Sequence, residues 1–136
     1  MHYIDANIFI YAVNSKSENS IICKNIIIDI AEGKINAATS VLTWDEFSWV
    51  TKRILGRGLA KIESSKLLNM PNLKFLAADE TVIRSAQKIT ENYNIDPRDA
   101  IHAATASNNN INLFISDDPD FDGIKEFKRI PIEKVS

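Results

Sequence analysis

Short β-prone segments alternate with stretches of helical spacing along the whole chain, and this alternation limits the possible folds more than any other feature. His2-Tyr3-Ile4, Ile35 to Thr39, Leu73 to Leu76, Ile111 to Ile115 and a last segment near Lys128 to Pro131 read as strands. Ile8, Phe9, Tyr11, Ala12 and Val13 give a helix after the first of these. Ile22, Ile26, Ile27 and Ile30 give a second helix within residues 18–31, which Gly33 closes as a C-terminal cap. After the second strand Ser40 caps a helix with inward candidates among Leu42, Phe47, Val50 and Ile54, and Glu46 lies in its second turn. Gly56 and Gly58 interrupt the pattern, and residues 59–68 fit a helix only loosely before Pro71. Val82, Ile83, Ala86, Ile89 and Tyr93 then recur at helical spacing. Asp96-Pro97-Arg98-Asp99 begins another helix, with Asp96 as its cap, Pro97 in first position and small residues through Ala106. Asp5 stands where the first strand gives way to helix, again an N-cap position.

Such alternation implies right-handed crossovers between parallel strands. The expected fold class is α/β, a three-layer α/β/α sandwich with a mainly parallel central sheet of about five strands. Residues 1–136 carry no repeat, low-complexity stretch or linker, so a single domain is expected. The lone Cys23 excludes an intramolecular disulfide scaffold, and no Cys/His spacing suits zinc, which makes a reducing cytoplasm the expected location. The N-terminus lacks a basic region followed by an apolar stretch, and no run approaches the roughly 18 apolar residues of a membrane span. A net charge of −2 and a pI of 5.7 argue against a basic duplex binder that works by neutralising phosphates. They leave room for a nucleic-acid enzyme that uses metal ions.

In an open parallel sheet the functional crevice lies beyond the carboxyl ends of the strands. Two strands here end in acids, at Asp5 and at Asp117/Asp118; Asp99 starts a helix, and Glu46 and Asp120 complete the set of candidates. Taken singly, each has an ordinary reading: Asp5 caps a helix, Asp99 complements a helix dipole, Glu46 sits on an exposed helix face, and Asp117-Asp118-Pro119-Asp120 is a solvated turn. Taken together, the two strand-end acids and the helix-start acid are expected at one edge of the sheet. Two like charges about 4 Å apart repel by roughly 4 kcal/mol at an effective dielectric near 20. Either some carboxylates take up protons or a cation joins them, because no neighbouring Lys/Arg cluster neutralises them. Hard oxygen donors without cysteine point to Mg²⁺ or Mn²⁺, ions that polarise phosphodiesters and activate water.

Four segments in this order resemble the PIN domain family, most closely the small stand-alone prokaryotic members typified by VapC toxins. They are Tyr3-Ile4-Asp5-Ala6-Asn7-Ile8-Phe9-Ile10-Tyr11, Glu46-Phe47, Asp96-Pro97-Arg98-Asp99-Ala100-Ile101-His102-Ala103-Ala104 and Ile115-Ser116-Asp117-Asp118-Pro119-Asp120-Phe121. The resemblance covers nearly the whole chain. It implies a fold similar to the flap endonuclease core and an Mg²⁺- or Mn²⁺-dependent endoribonuclease, with metal-activated water attacking phosphorus in line to leave a 5′-phosphate and a 3′-hydroxyl. Carried over, Asp5, Glu46, Asp99 and Asp118 match the four catalytic, metal-holding acids, and Asn7 and Ser116 match polar positions that support the site. Asp120 matches a frequent fifth acid. The family's Thr/Ser-x-Asp spacing favours Asp118 over Asp117, which stays in reserve as a ligand. A toxin of this type also implies an RNA substrate, a homodimer and an antitoxin whose tail blocks the acidic groove.

His102 follows Asp99 on the same helix near that face, though a packed or surface histidine is its ordinary reading. Trp44 and Trp49 suit stacking on bases or contact with a partner, and core packing equally. Lys52, Arg53, Arg57 and Lys61 read as a phosphate-steering patch or as a solvated face. Two rivals stand beside the nuclease. An aspartate-nucleophile phosphatase wants a second Asp two residues after the first, where Asn7 stands; a non-catalytic binding module of the same fold is argued against by the complete acid set.

Overall fold

The computed structural model describes residues 1–135. Strands β1 (His2–Ile4), β2 (Ala37–Ser40), β3 (Leu73–Leu76), β4 (Leu113–Ile115) and β5 (Lys128–Ile130) form one sheet in the order β3-β2-β1-β4-β5, and every pairing is parallel. The helices are α1 (Ala6–Asn14), α2 (Glu18–Ala31), α3 (Leu42–Leu55), α4 (Arg57–Leu68), α5 (Glu80–Asn92) and α6 (Pro97–Asn108). Short 3-10 turns occupy Pro119–Gly123 and Ile132–Lys134.

The central strands bury both faces, as an all-parallel sheet requires. Tyr3, Ala38 and Phe114 join the core shared with α5 and α6, whereas Ile4, Ala37 and Ile115 join the core shared with α1, α2 and α3. Phe114 anchors the first core, its ring 4.8 Å from that of Tyr3 and 4.4 Å from that of Phe127. Ala100, Ala103, Ala104 and Ala106 are fully buried and let α6 lie close to this layer. The three-layer α/β/α sandwich expected from the alternation is thus the observed fold.

Sheet order positions the site. The chain builds outward from β1 through β2 to β3, then returns to place β4 on the other side of β1. A crevice opens where the order reverses, beyond the carboxyl ends of β1 and β4. Register makes those ends level: Ile4 pairs with Ile115, and the Asp5 amide donates to the Ile115 carbonyl at 3.0 Å.

Several local expectations change. The loosely helical stretch is a full helix, beginning at Arg57 directly after Gly56, whose φ of +91° breaks α3 from α4. The second strand runs one residue further than expected and includes Ser40, yet Ser40 Oγ still accepts from the Leu42 amide at 3.0 Å. Ile54 is exposed because the inward face of α3 carries Thr43, Phe47 and Thr51. Asp5 and Asp96 occupy N-cap positions, but neither carboxylate caps its helix. For Asp5 the reason is tertiary, since its side chain serves Ser116.

Candidate active site

Asp5, buried at the end of β1, needs compensation for a carboxylate removed from water. Ser116, at the end of β4, donates its hydroxyl to Asp5 Oδ2 at 2.6 Å. The same Oγ accepts from Asn7 Nδ2 at 3.4 Å and from the Asp118 amide at 3.0 Å. One hydroxyl therefore uses its full bonding capacity to hold Asp5, α1 and the Asp118 loop together. Burial pushes the Asp5 carboxyl above its ordinary range, while His102 and the Ser116 bond oppose the rise.

Glu46 is held from the opposite side. His102 on α6 is fully buried; its Nε2 lies 2.7 Å from Glu46 Oε1 and 4.0 Å from Asp5 Oδ1. Its Nδ1 pairs with the Tyr3 hydroxyl at 2.6 Å, and that hydroxyl accepts from the Ser40 amide at 3.1 Å. Burial disfavours the charged ring, but the Glu46 bond and the charges of Asp5, Glu46 and Asp99 outweigh it and raise its pKa. Of the packed and surface settings expected for His102 the packed one is found, and the ring also links Tyr3 to two of the candidate acids. Its only sequence signal was the three-residue step from Asp99. Tyr3 gave none, because its partner is 99 positions away.

The remaining acids form the outer part of the site. One carboxylate oxygen from each of Asp99, Asp118 and Asp120 lies within 4.8 Å of the others. Asp118 also accepts from the Asp120 amide at 2.9 Å, which starts the 3-10 turn and brings Asp120 round beside it. Asp117 stands outside this trio. It lines the same cleft near Tyr11, whose phenol is pushed up by burial and then by the Asp117 charge. Burial, followed by the charges of Asp5 and Asp118, pushes the Asp99 carboxyl up to about 7, with His102 opposing.

Asp5, Asn7, Glu46, Asp99, Asp117 and Asp118 all line this cleft of about 430 Å³. Asp120 joins through the trio and Ser116 lies buried behind Asp5. Arg129, which donates to the Ser116 carbonyl at 3.0 Å behind the cleft, is engaged by Asp122 at 2.7 Å. The donor set fits a hard divalent cation. Oxygens converge, Asn7 Oδ1 is buried without a hydrogen-bond partner, and both nitrogens of His102 are committed. Such an arrangement can hold a cation against phosphate oxygens and orient water, with no protein nucleophile.

The PIN domain profile matches residues 2–126. No curated protein sequence matches the chain. Solved structures do. A toxin–antitoxin complex from Klebsiella pneumoniae superposes with a TM-score of 0.71 at 18% identity, covering 99% of this chain and 100% of that one. The Mycobacterium tuberculosis toxin VapC20, described as cleaving the sarcin-ricin loop, gives 0.75 at 14% identity over 93% of this chain and 98% of its own. FitAcB from Neisseria gonorrhoeae gives 0.75 at 16% identity over 99% and 100%. At these identities the likeness is one of fold.

Proposed function

Because this chain belongs to the PIN domain family, we propose that it is a divalent-metal-dependent endoribonuclease and the toxin of a toxin–antitoxin pair. The observation that carries the reading is the convergence of acids from β1, α3, α6 and the β4 loop in one cleft lined by no lysine or arginine among the described residues. Asp99, Asp118 and Asp120 would hold Mg²⁺ or Mn²⁺, with Asp5 and Glu46 behind them; Asp117 is the reserve. When bound, the ion would supply charge neutralisation at the phosphodiester and a lowered pKa for attacking water. Ser116 and Asn7 fix Asp5, and His102 fixes Glu46, so the carboxylates meet substrate already oriented.

An antitoxin partner is supported by the toxin–antitoxin complexes among the structural neighbours. A homodimer is supported by apolar side chains left exposed along α3 and α4 outside the groove between them, including Ile54, Leu59 and Ile62. No helix among the described residues is long and apolar enough to cross a membrane. An RNA substrate and the buried, unpaired Cys23 agree with a cytoplasmic location.

The test is cleavage of labelled single-stranded and hairpin RNAs with Mg²⁺, with Mn²⁺ and with EDTA, comparing wild type and Asp5→Asn. Metal-dependent cutting that disappears in the variant is expected. Full activity of contaminant-free Asp5→Asn protein would refute the assignment, and folded wild type that neither cuts nor binds Mn²⁺ would return the chain to the binding-module reading.

A further inference from the structure

Helix α3 carries Glu46 into the cleft, and the same helix continues outward as an exposed surface. Trp49 and Arg53 stand three and seven residues beyond Glu46, on the same side of the helix, about 4.5 and 10.5 Å along its axis at 1.5 Å per residue. Trp49 is 50% exposed, an unusual setting for the largest apolar side chain. Lys52 Nζ lies 5.2 Å from its ring centroid and the Arg53 guanidinium carbon 5.8 Å. Beyond Lys52 a groove of about 430 Å³ opens between α3 and α4, with apolar walls that include Trp44, Ala60 and Leu68 and with Lys52, Arg57 and Lys61 among its lining residues. Among the described residues none of Lys52, Arg53, Arg57 and Lys61 pairs with an acid, although Asp45 and Glu63 lie on the same two helices. In a chain of net charge −2, four unpaired cations have gathered around exposed indoles beside the most acidic part of the molecule.

We infer that Trp49, with Lys52 and Arg53, forms the subsite that stacks a base flanking the scissile phosphate, and that the single strand continues from it into the basic groove between α3 and α4. This rests on the nuclease reading. The incoming base takes the indole face, and the cations now resting on that ring turn to the flanking phosphates. Base–aromatic stacking tolerates any base because each has a π face, and the cations supply the backbone attraction that the acidic cleft cannot. Charge decides between this occupant and a protein: the cations lie on the route out of the Glu46 cleft, where an extended polyanion would pass. Trp49, Lys52 and Arg53 bind the substrate's neighbouring nucleotides and take no part in holding the metal.

The test measures steady-state cleavage by the full chain, with Mn²⁺ and a labelled single-stranded RNA that the wild type cuts. Trp49→Ala should raise KM about tenfold, the size of one lost stacking contact, with kcat changed less than threefold. Trp49→Phe should restore most of the loss. Lys52→Glu with Arg53→Glu should raise KM further, and replacing two cations should lower the slope of log affinity against log salt by about 1.4. Unchanged KM in all three proteins would overturn the subsite while leaving the nuclease intact. A change of oligomeric state in Trp49→Ala, seen by sedimentation with KM unaltered, would overturn it in favour of a protein contact. If no RNA is cut by wild type, the nuclease reading fails and the subsite fails with it.

Discussion

His102 shows how one buried side chain organises two catalytic candidates without facing substrate. Replacing it with Gln keeps a polar group near Glu46 and loses the fixed geometry between Tyr3 and Glu46. Loss of such a supporting contact typically costs 10- to 100-fold, about the fall in kcat expected for His102→Gln, with KM little changed. Equal falls in kcat and in kcat/KM would mark misplacement of Glu46; a KM effect alone would contradict it. Asp99 yields a prediction of opposite character. Its carboxyl titrates near 3.8 in the unfolded chain and at about 7 in the fold, so across that window the native state holds a proton that the unfolded state has released. Stability from this group is present below pH 4 and lost as pH rises through 7. In EDTA, wild type should therefore melt at a falling temperature from pH 4 to 7, and Asp99→Asn should gain on it most at pH 8. Parallel melting curves for the two proteins would contradict the shift. Residue identity revealed the acids, because their strand-end and helix-start positions are local. It concealed the partners of Tyr3 and His102, because nothing within the span of one element records a contact 99 residues distant.

At the scale of elements, the strands and most helices were legible because apolar residues recur with the right period and few side chains contradict them. The α3–α4 junction was not. Gly56 and Gly58 are equivalent as letters but differ in the chain: Gly56 has φ +91°, whereas Gly58 lies within α4, and a Cβ on either meets no atom within 4 Å. Only the backbone distinguishes them. Gly56→Ala should destabilise by about 1–2 kcal/mol through strain, and Gly58→Ala should stabilise by about 0.5–1 kcal/mol through helix propensity and a stiffer unfolded chain. Denaturant melts of both variants check this, and equal shifts would contradict it. The Asp5 cap failed for a related reason: a buried serine outcompetes a helix terminus for the carboxylate. The β4 loop was likewise ambiguous until its 3-10 turn carried Asp120, and left Asp117 outside, the trio with Asp99 and Asp118.

For the whole molecule, the cleft concentrates repulsion that a bound cation would relieve, so the proposed metal site would couple metal binding to folding. A ligand at 100 times its Kd stabilises the native state by about 2.7 kcal/mol. Mn²⁺ at that level should raise the melting temperature of wild type and leave Asp99→Asn with Asp118→Asn nearly unmoved; equal rises would place the ion elsewhere. Cation affinity should also climb as pH passes 7, where Asp99 gives up its proton. Whether the acids brought together at the β1–β4 crevice form a metal centre is decided by the anomalous scattering of Mn²⁺ in crystals of the wild-type protein. A peak is expected in the cleft within coordination distance of the Asp99, Asp118 and Asp120 carboxylates. An ordered crevice without a peak at saturating Mn²⁺, or a peak only at surface carboxylates such as Asp122, would contradict a metal centre there.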